Sequence, residues 1–150
     1  MKIRRAFGAS GLLLAIALWA SACDDGGREP RASAHKTACQ IDIQPPAEFR
    51  QAGRQRIPDT NRVALRETYR SSRGQTLTLF AGVRGEFGEG MRFYGRISRE
   101  TGTARLYGKG SNWVLIWQSP GPCGPRAVIG ERFSRARFLD VLRAMDVIAA

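Results

Sequence analysis

The chain has 150 residues, with 24 Lys and Arg against 13 Asp and Glu, and a formal net charge of +11. Its single histidine, His35, lies in a polar segment before the predicted domain, which argues against a Ser-His-Asp or Cys-His catalytic centre and against a histidine-based metal site. The positive charge is compatible with an anionic partner, because long-range attraction scales with net charge, and a solvated surface that keeps the protein soluble is the alternative.

The beginning of the chain has the layout of an export signal. Lys2, Arg4 and Arg5 precede an apolar run that ends in the small residues Ser21 and Ala22. The run is interrupted by glycine and serine and is shorter than the roughly 20 residues of a membrane-spanning helix. The pattern therefore predicts a secretory signal rather than a spanning segment.

The small residues before Cys23 resemble the lipobox of bacterial lipoproteins, with a looser match at Ala20, where Leu is commonest. The resemblance implies that residues 1–22 are a lipoprotein signal peptide and that Cys23 is lipidated. The protein is then exported and anchored to the membrane by its N-terminal lipid, with its domain on the periplasmic or extracellular side. An ordinary signal peptide and an uncleaved anchor are the alternatives. Arg4-Arg5 also resembles the twin-arginine export signal, so the export route stays open.

Residues 23–37 lack apolar periodicity and are predicted to form a flexible tether. With Cys23 lipidated, Cys39 and Cys123 are the remaining cysteines. Their pairing is the expected state in an oxidising compartment, with a free reactive thiol as the alternative.

Residues 38–150 are predicted to form a single small domain with one core. Alternation of apolar and polar residues predicts strands in its first half, separated by turn signals at proline and glycine. The predicted elements are a strand at 39–44, a helical turn at 47–52, a polar loop at 54–62, strands at 63–70 and 75–83, and a glycine-rich connection at 85–90.

The second half predicts a hairpin, a buried strand and a helix. Two alternating strands flank residues 99–102, and the apolar run 113–117 suits a central strand. A short strand at 126–129 precedes a helix at 135–148, for which Ser134 is a good N-cap. The predicted fold class is α+β, an antiparallel sheet of about six strands packed on one face by the C-terminal helix.

The hairpin carries the candidate binding residues. If Glu100-Thr101 is its two-residue turn, cationic and tyrosine side chains face one another on one side. Like charges directly opposite destabilise a hairpin, so an anion that neutralises them would explain the pattern. The alternative is that the arginines extend into water or pair with acidic residues elsewhere. The predicted facing pairs are Arg96 with Arg105, Tyr94 with Tyr107, and Arg92 with Lys109.

These observations favour a noncatalytic binding or scaffolding domain for an anionic envelope polymer or an envelope protein. A second hypothesis is a hydrolase of cell-wall glycan that uses Glu86 and Glu89 as its two carboxylates. A third is a periplasmic chaperone or inhibitor. No cofactor or metal is predicted, and nucleic acid is a disfavoured partner outside the cytoplasm.

Overall fold

The computed structural model describes residues 36–59, 62–85 and 87–150. The predicted signal peptide, the predicted lipidation site Cys23 and the tether up to residue 35 lie outside the described residues, as does Glu86. Within the described ranges, no helix has the length and hydropathy needed to cross a membrane.

The described chain forms one sheet of eight strands and one helix. All strand pairs are antiparallel except the pair of β1 with β3, which is parallel. The α+β class is therefore confirmed, whereas the predicted count of about six strands is too low. The elements are β1 Thr37–Ala38, β2 Phe49–Pro58, β3 Arg62–Ser71, β4 Thr76–Ala81, β5 Arg92–Arg99, β6 Gly102–Lys109, β7 Asn112–Gln118, β8 Pro125–Glu131 and α1 Arg135–Ala144.

Three segments differ from their predicted structure. Strand β2 begins inside the stretch predicted as a helical turn at 47–52, so that prediction is wrong, and it also includes much of the stretch predicted as a polar loop. It pairs only with β3 and is exposed over most of its length, so it lacks the apolar alternation that identifies a strand. Apolar and polar residues alternate over 39–44, but this segment forms no strand. Ile41 and Ile43 pack against the core from an irregular segment, so the alternation there reflects burial of one side and not strand pairing.

The strand order separates β4 from β5, although they follow each other in the chain. The order β3-β4-β8-β7-β6-β5 requires the connection between them to cross three strands. The distance is four inter-strand spacings, or about 19 Å. We call the described part of this connection, residues 82–85 and 87–91, the strap.

Helix α1 covers one face of the sheet, which we call the inner face. Phe138, Val141 and Leu142 are buried in one core cluster with Leu79 and Leu115 from the sheet. These side chains form one apolar stripe along α1, and the packing removes it from water.

The start of α1 is as predicted, whereas its end is not. The Ser134 side chain accepts a hydrogen bond from the backbone N–H three residues on, and the rings of Phe133 and Phe138 lie 5.8 Å apart. The helix ends earlier than predicted, because Asp146 adopts a left-handed φ of 54°. Ile148 stays buried beyond the helix end.

A disulfide joins Cys39 to Cys123, with their Cα atoms 5.6 Å apart. It connects the segment after β1 to the loop between β7 and β8. Gly82, the first residue of the strap, lies against it, because a Cβ there would be 2.5 Å from Cys39 Sγ. The Gly82 N–H also donates to the Pro125 carbonyl at 2.8 Å, so the beginning of the strap is held in place.

Candidate functional site

The sheet face opposite α1, the outer face, has a transverse row that is basic at both ends and apolar between. Its members are in register across six strands, so alternation places all their side chains on that face. The strap crosses over this row, and Phe87 packs on it with its ring centroid 5.0 Å from that of Phe80. The row consists of Arg66, Phe80, Ala127, Ile116, Arg105 and Arg96.

Two arginines lie directly opposite each other at one end of this row. Arg96 pairs with Arg105, as the two-residue turn predicts. Both side chains are exposed, and neither has a carboxylate partner among the described residues. Because like charges at opposed positions repel, the pair leaves concentrated positive charge on the outer face.

A cleft of about 460 Å³ opens beside this pair, and we call it the arginine cleft. Arg96, Arg105 and Tyr107 line it, while Thr103 and Gln118 contribute a hydroxyl and an amide. Guanidinium groups bind carboxylates and phosphates through pairs of charge-assisted hydrogen bonds. The cleft therefore has the donors to hold an anionic group and polar groups to contact what is attached to it.

The predicted pairing of Tyr94 with Tyr107 is wrong. The register of the hairpin shifts between Phe93 and Gly95, so Phe93 lies opposite Tyr107 and Tyr94 is the extra residue of a β-bulge. Gly95 has a φ of 133°, which permits the shift. The Tyr94 ring lies 5.0 Å from that of Trp113, on the inner side of the sheet.

The predicted pairing of Arg92 with Lys109 is wrong for the same reason. Arg92 lies opposite Gly108, and its guanidinium is 5.4 Å from the centre of the Tyr94 ring. Lys109 pairs with Asn112 at the far end of β6. Three of the six predicted binding residues thus line the arginine cleft, and the other three do not.

A second cavity, of about 600 Å³, lies between the strap and the loop joining β7 to β8. Arg62, Arg84 and Phe87 are among its lining residues. It shares Ile116 and Gln118 with the arginine cleft. The two cavities therefore adjoin, and we call them together the groove.

Arg62 and Arg84 differ in how they are held. Arg62 is 6% exposed, donates from Nη1 to the Pro122 carbonyl at 2.5 Å and pairs with Asp59 at 3.2 Å. Its Nε has no hydrogen-bond partner within the described part of the chain. Arg84 is exposed on the strap. The sequence gives no periodic signal for either residue, since the strand order alone brings them to the cavity.

The described groups with shifted pKa values lie on the inner face of the sheet. Burial, together with the hydrogen bond from its hydroxyl to Glu67 at 2.8 Å, raises the pKa of Tyr69 to about 12. Burial, followed by the charge of Arg126, lowers the pKa of Arg99, which lies 4.3 Å from the centre of the Trp117 ring. Both shifts therefore reflect packing of the inner face.

Of the two carboxylates in the hydrolase hypothesis, only Glu89 lies within the described residues. Glu89 is exposed in the strap, and Glu86 lies outside the described residues, so the hydrolase hypothesis stays a prediction. Within the described ranges, no group of three or more His, Cys, Asp or Glu residues is placed to hold a metal ion.

Comparison with protein-family models, curated proteins and solved structures finds no match to this chain.

Proposed function

We propose that this chain is a lipid-anchored lipoprotein of the cell envelope whose domain binds an anionic envelope polymer without chemical turnover. The observation that carries the proposal is the pairing of Arg96 with Arg105 on an open cleft. A guanidinium group presents five N–H donors in a planar fork. A bound carboxylate or phosphate would offset the repulsion between the two and accept hydrogen bonds from both.

The anchor half of the proposal rests on Cys23 and the export signal before it. The Cys39–Cys123 disulfide supports it, because disulfides persist in oxidising compartments outside the cytosol. Intact-mass analysis of the full-length protein should find Cys23 as a lipid-modified N-terminus, and Cys23→Ser should release the protein from membranes. An unmodified sulfhydryl at Cys23 would contradict the anchor.

The binding half is tested by retention of the full-length protein on immobilised polygalacturonate. We expect the variant carrying Arg96→Gln and Arg105→Gln to lose most retention, since both charge-assisted contacts are removed. Added salt should weaken retention of the wild type, because it screens exposed charges.

The matched control carries Arg56→Gln and Arg73→Gln, two exposed arginines that do not line the groove. It removes the same net charge, so its retention should stay close to that of the wild type. Equal losses in the two double variants, with both folded by circular dichroism, would assign the retention to overall charge and contradict a site at the arginine cleft.

A further inference from the structure

We infer that the groove binds an extended acidic polysaccharide, with one carboxylate at Arg96 and Arg105 and a second beside Arg62 and Arg84. The inference rests on the proposed function and extends it, because it names the class of polymer and adds a second anionic subsite. It follows from the continuity of the groove, from the arginines at its two ends and from the strands of its floor, which are hydrogen-bonded to neighbours on both sides.

The groove is long and has exposed arginines at both ends, Arg96 and Arg105 at one and Arg84 at the other. The arginine cleft and the strap cavity meet at Ile116 and Gln118. Arg105 is on β6 and Arg62 is on β3, four inter-strand spacings apart, so about 19 Å separates the two strands. A single small anion cannot contact both ends, whereas a chain with carboxylates at intervals can.

The second subsite combines a fixed arginine with an exposed one. Arg62 is held by Pro122 and Asp59, so its guanidinium keeps its place at the cavity wall. Arg84 follows Gly82, which the disulfide and a backbone hydrogen bond hold in position. The ordering cost of binding is reduced when one charged group is already immobile.

The floor of the groove argues against a peptide. Strands β4, β8, β7 and β6 are each paired on both sides. A peptide lying across them finds no free strand edge, and its backbone N–H and C=O groups would be desolvated without partners. A polysaccharide has no such backbone requirement.

The lining chemistry is suited to sugar rings. A sugar has an apolar C–H face and hydroxyl groups that both donate and accept hydrogen bonds. Ile116 and Phe87 offer apolar contact, and the amide of Gln118 and the hydroxyls of Ser119 and Thr103 offer donors and acceptors. Carboxylates on the same chain then meet the arginines at either end.

The test is isothermal titration of the full-length protein with galacturonic acid and with its hexamer. A ligand that occupies both subsites gains from effective concentration, so we expect the hexamer to bind tighter than the monomer by roughly tenfold or more. A neutral glucose hexamer should not bind measurably. Equal affinity for the galacturonate monomer and hexamer would overturn the inference.

Variants separate this inference from the proposed function. Arg84 is exposed, so Arg84→Gln should fold normally and bring hexamer affinity close to that of the monomer, because the exposed charge of the second subsite is removed. Arg96→Gln with Arg105→Gln should weaken both ligands. If Arg84→Gln leaves hexamer affinity unchanged while the double variant weakens it, the second subsite is wrong and the proposed function stands. If the double variant changes neither affinity, the proposed function fails as well.

An acidic peptide tests the ligand class. Hexaglutamate carries comparable charge on a peptide backbone, and the paired floor strands predict that it binds more weakly than the galacturonate hexamer. Equal or tighter binding of hexaglutamate, with the same loss in Arg84→Gln, would overturn the assignment to a polysaccharide. The control Arg73→Gln should leave all affinities unchanged.

Discussion

Tyr69 is expected to make stability sensitive to alkaline pH. Burial and the hydrogen bond to Glu67 raise its pKa from 10.0 to about 12, so the folded state holds the phenol proton more tightly than the unfolded state does. This contribution is fully present below pH 10 and is lost as the pH rises towards 12. We predict a shallower alkaline loss of stability in Tyr69→Phe than in the wild type.

The measurement is the free energy of unfolding in urea at several pH values above 8, beside absorbance at 295 nm. The chain has three tyrosines, so a late-titrating phenol in the wild type should be missing from Tyr69→Phe. Tyr107→Phe is the control, since Tyr107 belongs to the arginine cleft and not to this hydrogen bond. Parallel stability curves for the wild type and Tyr69→Phe would contradict the prediction.

Individual side chains were predictable where the cause is local. Ser134 caps α1 through the backbone beside it, and its position before an apolar stripe identified it. The side of the sheet to which Tyr94 points was not predictable from alternation, because the bulge at Gly95 reverses the face of every preceding residue. A glycine inside an otherwise regular strand was the available signal for that bulge.

At the scale of elements, the contact between β8 and α1 depends on a missing side chain. A Cβ on Gly130 would lie 2.5 Å from a ring carbon of Phe138. Gly130→Ala must therefore displace the ring or the helix, and we expect it to lower the free energy of unfolding by about 1–3 kcal/mol.

Gly53→Ala is the matched control for this substitution. Gly53 lies on the exposed strand β2, where a Cβ would meet nothing within 4 Å. Alanine there should leave stability unchanged or raise it by up to about 1 kcal/mol, because it restricts the unfolded chain. Urea unfolding of both variants checks the pair, and a similar small change in each would contradict close packing of α1 on β8.

Elements that bury one face were predictable, and elements that do not were missed. The hairpin of β5 and β6, the strand β7 and the start of α1 all have apolar faces against the core, which the periodicity records. Strand β2 is stabilised by its hydrogen-bonded pairing with β3 rather than by burial, so its sequence resembles a loop. The strap was identified as a connection, but its route across the outer face depends on the strand order.

At the scale of the whole molecule, the disulfide joins two cysteines that are 84 residues apart in the sequence and so closes a long loop. In the chain-entropy model, a loop of that length stabilises the folded state by about 4.5 kcal/mol. Replacing Cys39 and Cys123 with alanine should lower the free energy of unfolding by a similar amount, measured in urea without reductant. An unchanged free energy of unfolding would contradict a stabilising role for the cross-link.

The predicted class of fold is confirmed at this scale, whereas the groove was not foreseen. A mostly β domain with one C-terminal helix follows from the succession of alternating strands and a final helical stripe. The groove requires residues from β3, the strap, β6 and β7 to meet, and that depends on a crossover connection. Local sequence patterns carry no information on such a crossing. The sequence alone therefore could not place Arg62 and Arg84 in the same groove as Arg96 and Arg105.

The central claim is that Arg96 and Arg105 together hold an anionic group. Side-chain Nε–H signals of ¹⁵N-labelled arginine in the full-length protein report this most directly, during titration with the galacturonate hexamer. The account predicts that the signals of Arg96 and Arg105, assigned through their Gln variants, shift in a saturable way while that of Arg73 does not. Equal, non-saturating shifts of all exposed arginines would contradict it.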